Sequence, residues 1–267
     1  MIKIIVTGAA GRMGRRIIEI VVETEGVDVS SATERAGHEI VGMDVGDYFG
    51  LGKKGAAISD SLAKVVKDGD VIIDFTFPEV SLENIKAAAK AGKAIVVGST
   101  GFSDAQLKEV KKYAKKIPIV LAPNMSVGVN LLLKVLSDMA KVLDENYDID
   151  IVETHHRHKK DAPSGTALKM AQVIAAARGR KLDKDGVFCR HGNIGERKRG
   201  EIGVQTLRVG DVVGDHTVIF GTPGERIEIT HKASSRDVFA RGAVRAAQWV
   251  ANRAPGLYDM QDVLGIK

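Results

Sequence analysis

The sequence predicts an α/β chain in two parts, a doubly wound parallel sheet followed by a smaller α+β domain. Three observations predict it. Through the first 125 residues, short continuously apolar runs alternate with longer amphipathic segments, the pattern of strands covered on both faces by helices. A glycine-rich turn, GAAGRMG, joins the first run to the first amphipathic segment. After Asn124, long helical periods and closely spaced alternating runs take over. Right-handed crossovers then make the first sheet Rossmann-like. The expected boundaries are residues 1–125 and 126–236, with the segment 237–267 packing back on the first part.

IKIIV (2–6) reads as a buried strand, RRIIEIVVE (15–23) as a helix and VDVSSATE (27–34) as a second strand. The glycine-rich tract from Gly37 to Gly55 reads as a mobile loop. DSLAKVVKD (60–68) is helical, VIIDFT (71–76) a strand and LENIKAAAKAG (82–92) a helix. AIVVGST (94–100) and IPIVLAP (117–123) are strands on either side of a helix, SDAQLKEVKKYAKK (103–116). In the second part, helices VGVNLLLKVLSDMAKVL (127–143) and LKMAQVIAAAR (168–178) flank YDIDIVETHH (147–156), a strand with one wet face. GVQTLRVG (203–210), TVIFGTP (217–223) and RIEITHKA (226–233) follow closely, as antiparallel neighbours would. A last helix, DVFARGAVRAAQWVANR (237–253), stops before Ala254-Pro255-Gly256.

The formal charge is +5, from 39 basic and 34 acidic residues, and the isoelectric point lies near 9.2. That excess suits an acidic ligand without pointing to nucleic acid. Seven Phe, four Tyr and one Trp are too few for the stacking platforms of a single-strand binder. Cys189 is alone, so no intrachain disulfide can form, and a reducing cytoplasm is the expected compartment. The opening IKIIVTG is too short for a signal-peptide core, and no apolar run approaches a membrane span.

GAAGRMG (8–14) has the spacing G-x-x-G-x-x-G, with Ala10 where the commoner dinucleotide fingerprint has glycine. Its position between strand and helix lets a pyrophosphate approach the helix N-terminus. Glu34, 20 residues beyond Gly14, suits the ribose hydroxyls. Arg35 suits a 2′-phosphate, or is simply an exposed charge. GSTGF (98–102) and APNMS (122–126) end predicted strands on the edge where such sheets bind ligands, or are plain turns.

ETHHRHKKDAPSGTA (153–167) sets three histidines among Arg157, Lys159 and Lys160. A metal site lacks ligands: His156 and His158 would share a strand face, Asp161 is the only nearby carboxylate, and the surrounding cations oppose it. A solvated basic face explains the charges but not the DAPSGTA that follows. An acid/base centre for a small acidic molecule explains both. Asp161, Pro163 and Ser164 are helix-start residues, so Gly165 and Thr166 offer N–H groups and a hydroxyl to an anion. Lys159 adds a point charge, and a histidine beside them titrates near neutrality.

These residues resemble the dihydrodipicolinate reductase family, of the diaminopimelate route to lysine. The likeness runs in order through GAAGRMG, Glu34-Arg35, DFTFPE (74–79), GSTGF, APNMSVGVN (122–130), the histidine stretch and HKASSRDVFARGA (231–243). It implies a hydride passed from NADH or NADPH to C4 of a small dicarboxylate ring, without a metal, in a homotetramer whose second domain carries the substrate site and interface. By that likeness His155 is the proton donor or acceptor, and Lys159 is a second donor and a carboxylate contact. His156, Ser164, Gly165 and Thr166 would hold the substrate. Gly8, Ala9, Ala10, Gly11, Arg12, Met13, Glu34 and Arg35 would hold the adenosine diphosphate part. Gly98, Ser99 and Thr100, with Ala122, Pro123, Asn124 and Met125, would line the nicotinamide side. The chain departs from the family at Met125, where well-known members carry an aromatic residue; a thioether can still cover a nicotinamide face. Asp161 orients Lys159 or a histidine, or caps the helix. Arg236 falls close to the substrate position or is structural, and Cys189 has no implied role beyond a buried or incidental thiol. Two other readings are a related dehydrogenase of a small acid, which would not need HHRHKKDAPSGTA, and a nucleotide sensor, which would need neither His155 nor Lys159.

Overall fold

A computed structural model describes residues 1–267. The chain divides into two compact units, Met1–Val127 with Asp237–Lys267, and Gly128–Arg236. In order, the elements are β1 (Ile2–Thr7), α1 (Arg12–Glu23), β2 (Val27–Thr33), α2 (Val45–Phe49), β3 (Ile58–Ser59) and α3 (Leu62–Val65). A 3₁₀ turn, Val66–Asp68, leads to β4 (Val71–Asp74), α4 (Pro78–Ala91), β5 (Ala94–Val97), α5 (Asp104–Tyr113), β6 (Pro118–Leu121) and α6 (Val127–Val142). Then come β7 (Asp148–His155), α7 (Gly165–Ala177), α8 (Leu182–Asp185), β8 (Gly186–Val187), β9 (Ile202–Arg208), β10 (Gly214–Thr222) and β11 (Glu225–Ala233). The chain closes with α9 (Asp237–Val250), β12 (Gly256–Tyr258) and α10 (Met260–Leu264).

In the first unit seven parallel strands lie in the order β12-β6-β5-β4-β1-β2-β3. Successive residues of one strand serve opposite layers. Ile4, Val6, Ile73 and Val96 pack with Ile17, Val21, Ala243 and Val250 of α1 and α9, while Ile5, Ile72, Ile95 and Ile119 pack with Ile85 of α4 and Val110 of α5. Burial on both faces is why these strands read as unbroken apolar runs. Helix α4 starts four residues before the apolar period suggests, because Pro78 at its first turn is pre-set for helical φ. The Gly37–Gly55 tract, expected as a mobile loop, is instead organised on Asp44. Its carboxylate accepts the N–H groups of Gly46 and Asp47, capping α2, and those of Lys54 and Ala56 beyond it. Ile40, Val45 and Ala56 join the core beneath.

The second unit carries a mixed five-stranded sheet, β11-β10-β7-β9-β8. Strand β10 is antiparallel to β11 and β7, whereas β9 is parallel to both β7 and β8. The three late strands are therefore not consecutive neighbours as expected: residues 209–213 carry the chain past β7, which lies between β9 and β10. Along β7 every second side chain, Ile149, Ile151, Glu153 and His155, is buried. The two isoleucines pack with Leu132, Leu133 and Leu136 of α6 and Met170, Ala171 and Ile174 of α7. The same alternation then buries a carboxylate and an imidazole at the end of the strand.

Candidate active site

In the first unit, Gly8, Ala9, Ala10 and Gly11 turn the chain from β1 into α1. A Cβ on Gly14 would lie 2.1 Å from the carbonyl oxygen of Gly8, so only glycine lets the helix start this close beneath the turn. Gly11 provides no side-chain cap, and the first turn holds no acidic residue. The leading N–H groups of Arg12, Met13 and Gly14 thus have no intrahelical acceptor and face an anion's natural position. Glu34, just past β2, is anchored beside them: its carboxylate accepts the N–H of Ala10 and of Arg35, each at 2.9 Å. Arg12 and Arg35 are exposed. A bare helix start, a fixed acid and two free-standing guanidinium groups fit the phosphates and ribose of a dinucleotide.

The other cofactor candidates divide. Thr100 and Pro123 are exposed at the ends of β5 and β6, and Asn124 accepts the N–H of Ser126 at 2.9 Å. Gly98 donates its N–H to the carbonyl of Asp74. Ala9, Ser99 and Ala122 are buried. Met125, expected to present its thioether to a nicotinamide, is only 1% exposed and packs in the core of the first unit, so the side chain is committed to packing. Ser99 likewise faces inward, 2.7 Å from the hydroxyl of Ser81. Both hydroxyls belong to a network on Asp74, a fully buried carboxylate that sequence reasoning passed over. It accepts from Thr76 N and Oγ1, Ser81 and the Asn84 amide. These bonds satisfy its buried oxygens and fix the loop after β4 to α4.

In the second unit the histidine stretch resolves into separate parts. Strand β7 ends at His155, so His156 and His158 do not share a strand face; their rings stand 6.3 Å apart beyond it. Helix α7 starts at Gly165, with Ser164 as its cap accepting from Ala167 N at 3.2 Å. Gly165 and Thr166 are therefore its first two residues. Lys159 pairs with Asp161 at 3.0 Å, and that bond holds the Asp161 carboxyl below its usual range, so Asp161 holds the lysine and does not cap. Cys189, expected as a buried or incidental thiol, is exposed. No three His, Cys, Asp or Glu side chains gather as a metal site requires.

Behind these groups lies a buried network. His155 Nδ1 is 2.5 Å from Glu153 Oε2, and Glu153 is fully buried. Arg208, across the parallel β7–β9 pairing, donates to both Glu153 oxygens, at 3.0 and 3.1 Å, and to the carbonyl of Asp161. Ser164 N–H completes the set at 3.0 Å. Burial alone would raise the Glu153 carboxyl, but the bonds from Arg208, His155 and Ser164 outweigh it and hold the group below its usual value. His156 is pushed down by partial burial and by the charges of Arg236, His155, His158 and Lys159. Arg236 thus adds to the positive field of the cluster.

His216 on β10 packs edge-on against His155, ring centroids 5.2 Å apart, and its Nε2 is 3.0 Å from the Ser164 hydroxyl. Burial, and the nearby His155, push it down to about 4. A histidine depressed on folding stabilises the fold above its unfolded value, near 6.5, and loses that contribution as pH falls towards 4. We expect about 3 kcal/mol to be lost across that window from this one group. Urea midpoints between pH 7 and pH 4 check it: the decline should flatten in His216→Gln.

Two family models match the chain, "Dihydrodipicolinate reductase, N-terminus" over residues 2–125 and "Dihydrodipicolinate reductase, C-terminus" over residues 128–264. Curated proteins named 4-hydroxy-tetrahydrodipicolinate reductase align along the whole of both chains: 54% identity over 267 residues in Syntrophus aciditrophicus and 57% in Citrifermentans bemidjiense. Among solved structures, a dipicolinate-bound dihydrodipicolinate reductase from Paenisporosarcina sp. TG-14 shares the fold with a TM-score of 0.78 at 24% identity, covering 98% of each chain. An amine dehydrogenase from Mycobacterium smegmatis shares it more loosely, with a TM-score of 0.60 over 96% of this chain and 94% of its own.

Proposed function

The chain belongs to the dihydrodipicolinate reductase family, and from that premise we propose how its residues divide the work. The activity is that of an oxidoreductase reducing 4-hydroxy-tetrahydrodipicolinate to tetrahydrodipicolinate, in the diaminopimelate route to lysine. Overall, the substrate loses water, gains a hydride at C4 and gains one proton. NADH or NADPH supplies the hydride when bound. The start of α1, with Arg12 and Met13, holds its pyrophosphate, Glu34 its ribose and Arg35 a 2′-phosphate. Thr100, Pro123 and Asn124 line the nicotinamide side.

In the second unit, Gly165 and Thr166 at the start of α7 hold a substrate carboxylate, with His156 beside them. Lys159 contacts the second carboxylate and, with His155, meets the charge that develops on the ring nitrogen as hydride arrives. Ser164 acts from behind, because its hydroxyl is spent on the cap and on His216. One observation carries this reading. Through Glu153, the buried network joins His155 directly to Ser164, the cap of the anion-binding helix. A proton donor and an anion cradle fixed to one carboxylate are what reduction of a dicarboxylate needs.

The reading extends to a homotetramer in the cytoplasm. The lone Cys189 supports a reducing compartment, and no helix is long and apolar enough to cross a membrane. Exposed Leu207 and Val209 support association through the second unit, which sedimentation analysis would measure.

The function is tested by following nicotinamide oxidation with substrate formed in place from pyruvate and aspartate semialdehyde. Oxidation should require the substrate, and its absence with both cofactors would sink the reading. In the same assay Arg35→Ala should raise KM for NADPH about tenfold, the worth of one guanidinium–phosphate contact, and leave KM for NADH unchanged. Equal effects on both would return Arg35 to an ordinary surface charge.

A further inference from the structure

Glu153 meets four N–H donors with two oxygens. Oε2 faces His155 Nδ1 and Arg208, while Oε1 faces Ser164 N and Arg208. A carboxylate only accepts, so Nδ1 of His155 must be the protonated nitrogen of the neutral ring. Its Nε2 lies at the opposite edge, beside Gly214: a Cβ there would come within 2.9 Å of it. The imidazole is therefore pinned between a buried carboxylate at one nitrogen and a side-chain-free position at the other.

We propose that Glu153, clamped by Arg208, is a positioning residue that fixes the Nδ1–H tautomer of His155 and leaves Nε2 to carry the proton in turnover. The inference rests on reading His155 as the proton donor. It also explains Gly214, whose lack of a side chain gives the working nitrogen room. When the ring takes up a proton at Nε2, Glu153 balances the imidazolium through Nδ1–H. When Nε2 releases it, the same bond restores the starting tautomer.

An amide at position 153 cannot do this. Its NH₂ must face either Ser164 N, which is always a donor, or His155 Nδ1, which can become an acceptor. The second arrangement leaves fewer donors opposed, so the amide points at His155 and moves the ring proton to Nε2. The rearranged ring holds a proton that it gives up poorly.

The test is a long-range ¹H–¹⁵N correlation of the full-length chain with labelled histidine, assigned by the signals lost in His155→Gln, run beside steady-state kinetics. Wild type should show Nδ1–H on His155. Glu153→Gln should show Nε2–H, with kcat about 100-fold lower and KM changed less than about threefold. Glu153→Asp should keep Nδ1–H and recover much of kcat. Gly214→Ala should also keep Nδ1–H, with kcat lowered about tenfold by displacement of the ring. A Glu153→Gln protein with the wild-type tautomer, or with kcat within about threefold of wild type, overturns the proposal. If that variant does not fold, the other two decide: loss of Nδ1–H in Glu153→Asp, or full activity in Gly214→Ala, also overturns it. Inactive wild type with intact cofactor binding overturns the underlying function, and with it the role in turnover, whatever tautomer the spectrum reports.

Discussion

Lys159→Ala and His155→Ala should each lower kcat by about 10²–10⁴, the usual worth of a positioned acid or base. The two should differ in KM. In the proposed role Lys159 offers a point charge to a carboxylate as well as a proton, so its removal should raise KM together with lowering kcat. His155 is 8% exposed and tied to Glu153, so its loss falls mainly on kcat. Stability should hardly change in Lys159→Ala, because its partner Asp161 is mostly exposed and such pairs contribute little. Initial rates over a substrate series, with melting temperatures as a control, check both. If activity survives in both variants, neither residue moves the proton.

Arg208→Met should destabilise the fold by about 3–5 kcal/mol, because it strands a fully buried carboxylate. The sign of its pH dependence follows. In wild type the Glu153 carboxyl sits below its ordinary value, so its contribution is present above the unfolded value near 4.3 and is lost as pH falls. Without Arg208 burial dominates, and the carboxyl moves above that value. The variant should therefore be weakest near neutrality and gain stability relative to wild type as pH falls towards 5. Urea unfolding at both pH values measures this. The double variant Arg208→Met with Glu153→Leu should recover much of the loss, since an apolar pair removes the buried charge altogether.

Much of this architecture was readable from period alone. The runs Val71–Ile73 and Ala94–Val97 are apolar at every position because both faces of the sheet are covered. Ser164 and Gly165 announce a helix start by their chemistry, so the beginning of α7 was legible. Glu153 was within reach too: it continues the odd-numbered series of Ile149 and Ile151 into the interior, and a buried acid two residues before a histidine invites a hydrogen bond. Arg208 was not. It reaches Glu153 only through the parallel pairing of β7 with β9, and strand order across a mixed sheet leaves no local mark in the sequence. The burial of Met125 was hidden for a related reason, since its position in the chain could not reveal that its side chain turns into the core. The short β12, with only three residues, carried no period at all.

That last strand bears on how the protein is made. The first sheet is finished by β12, and its layer beside α1 by α9, both encoded after the second unit. On the ribosome, the amino-terminal strands must wait with Ile17, Val21 and their neighbours uncovered while residues 128–236 and the tail are synthesised. At roughly 5–20 residues per second the wait lasts on the order of ten seconds, long beside helix and hairpin formation. During elongation the nascent chain thus exposes a sticky half-layer, the kind of surface that holdase chaperones cover. The inserted unit can condense first, with the first sheet completed only once α9 and β12 have been made.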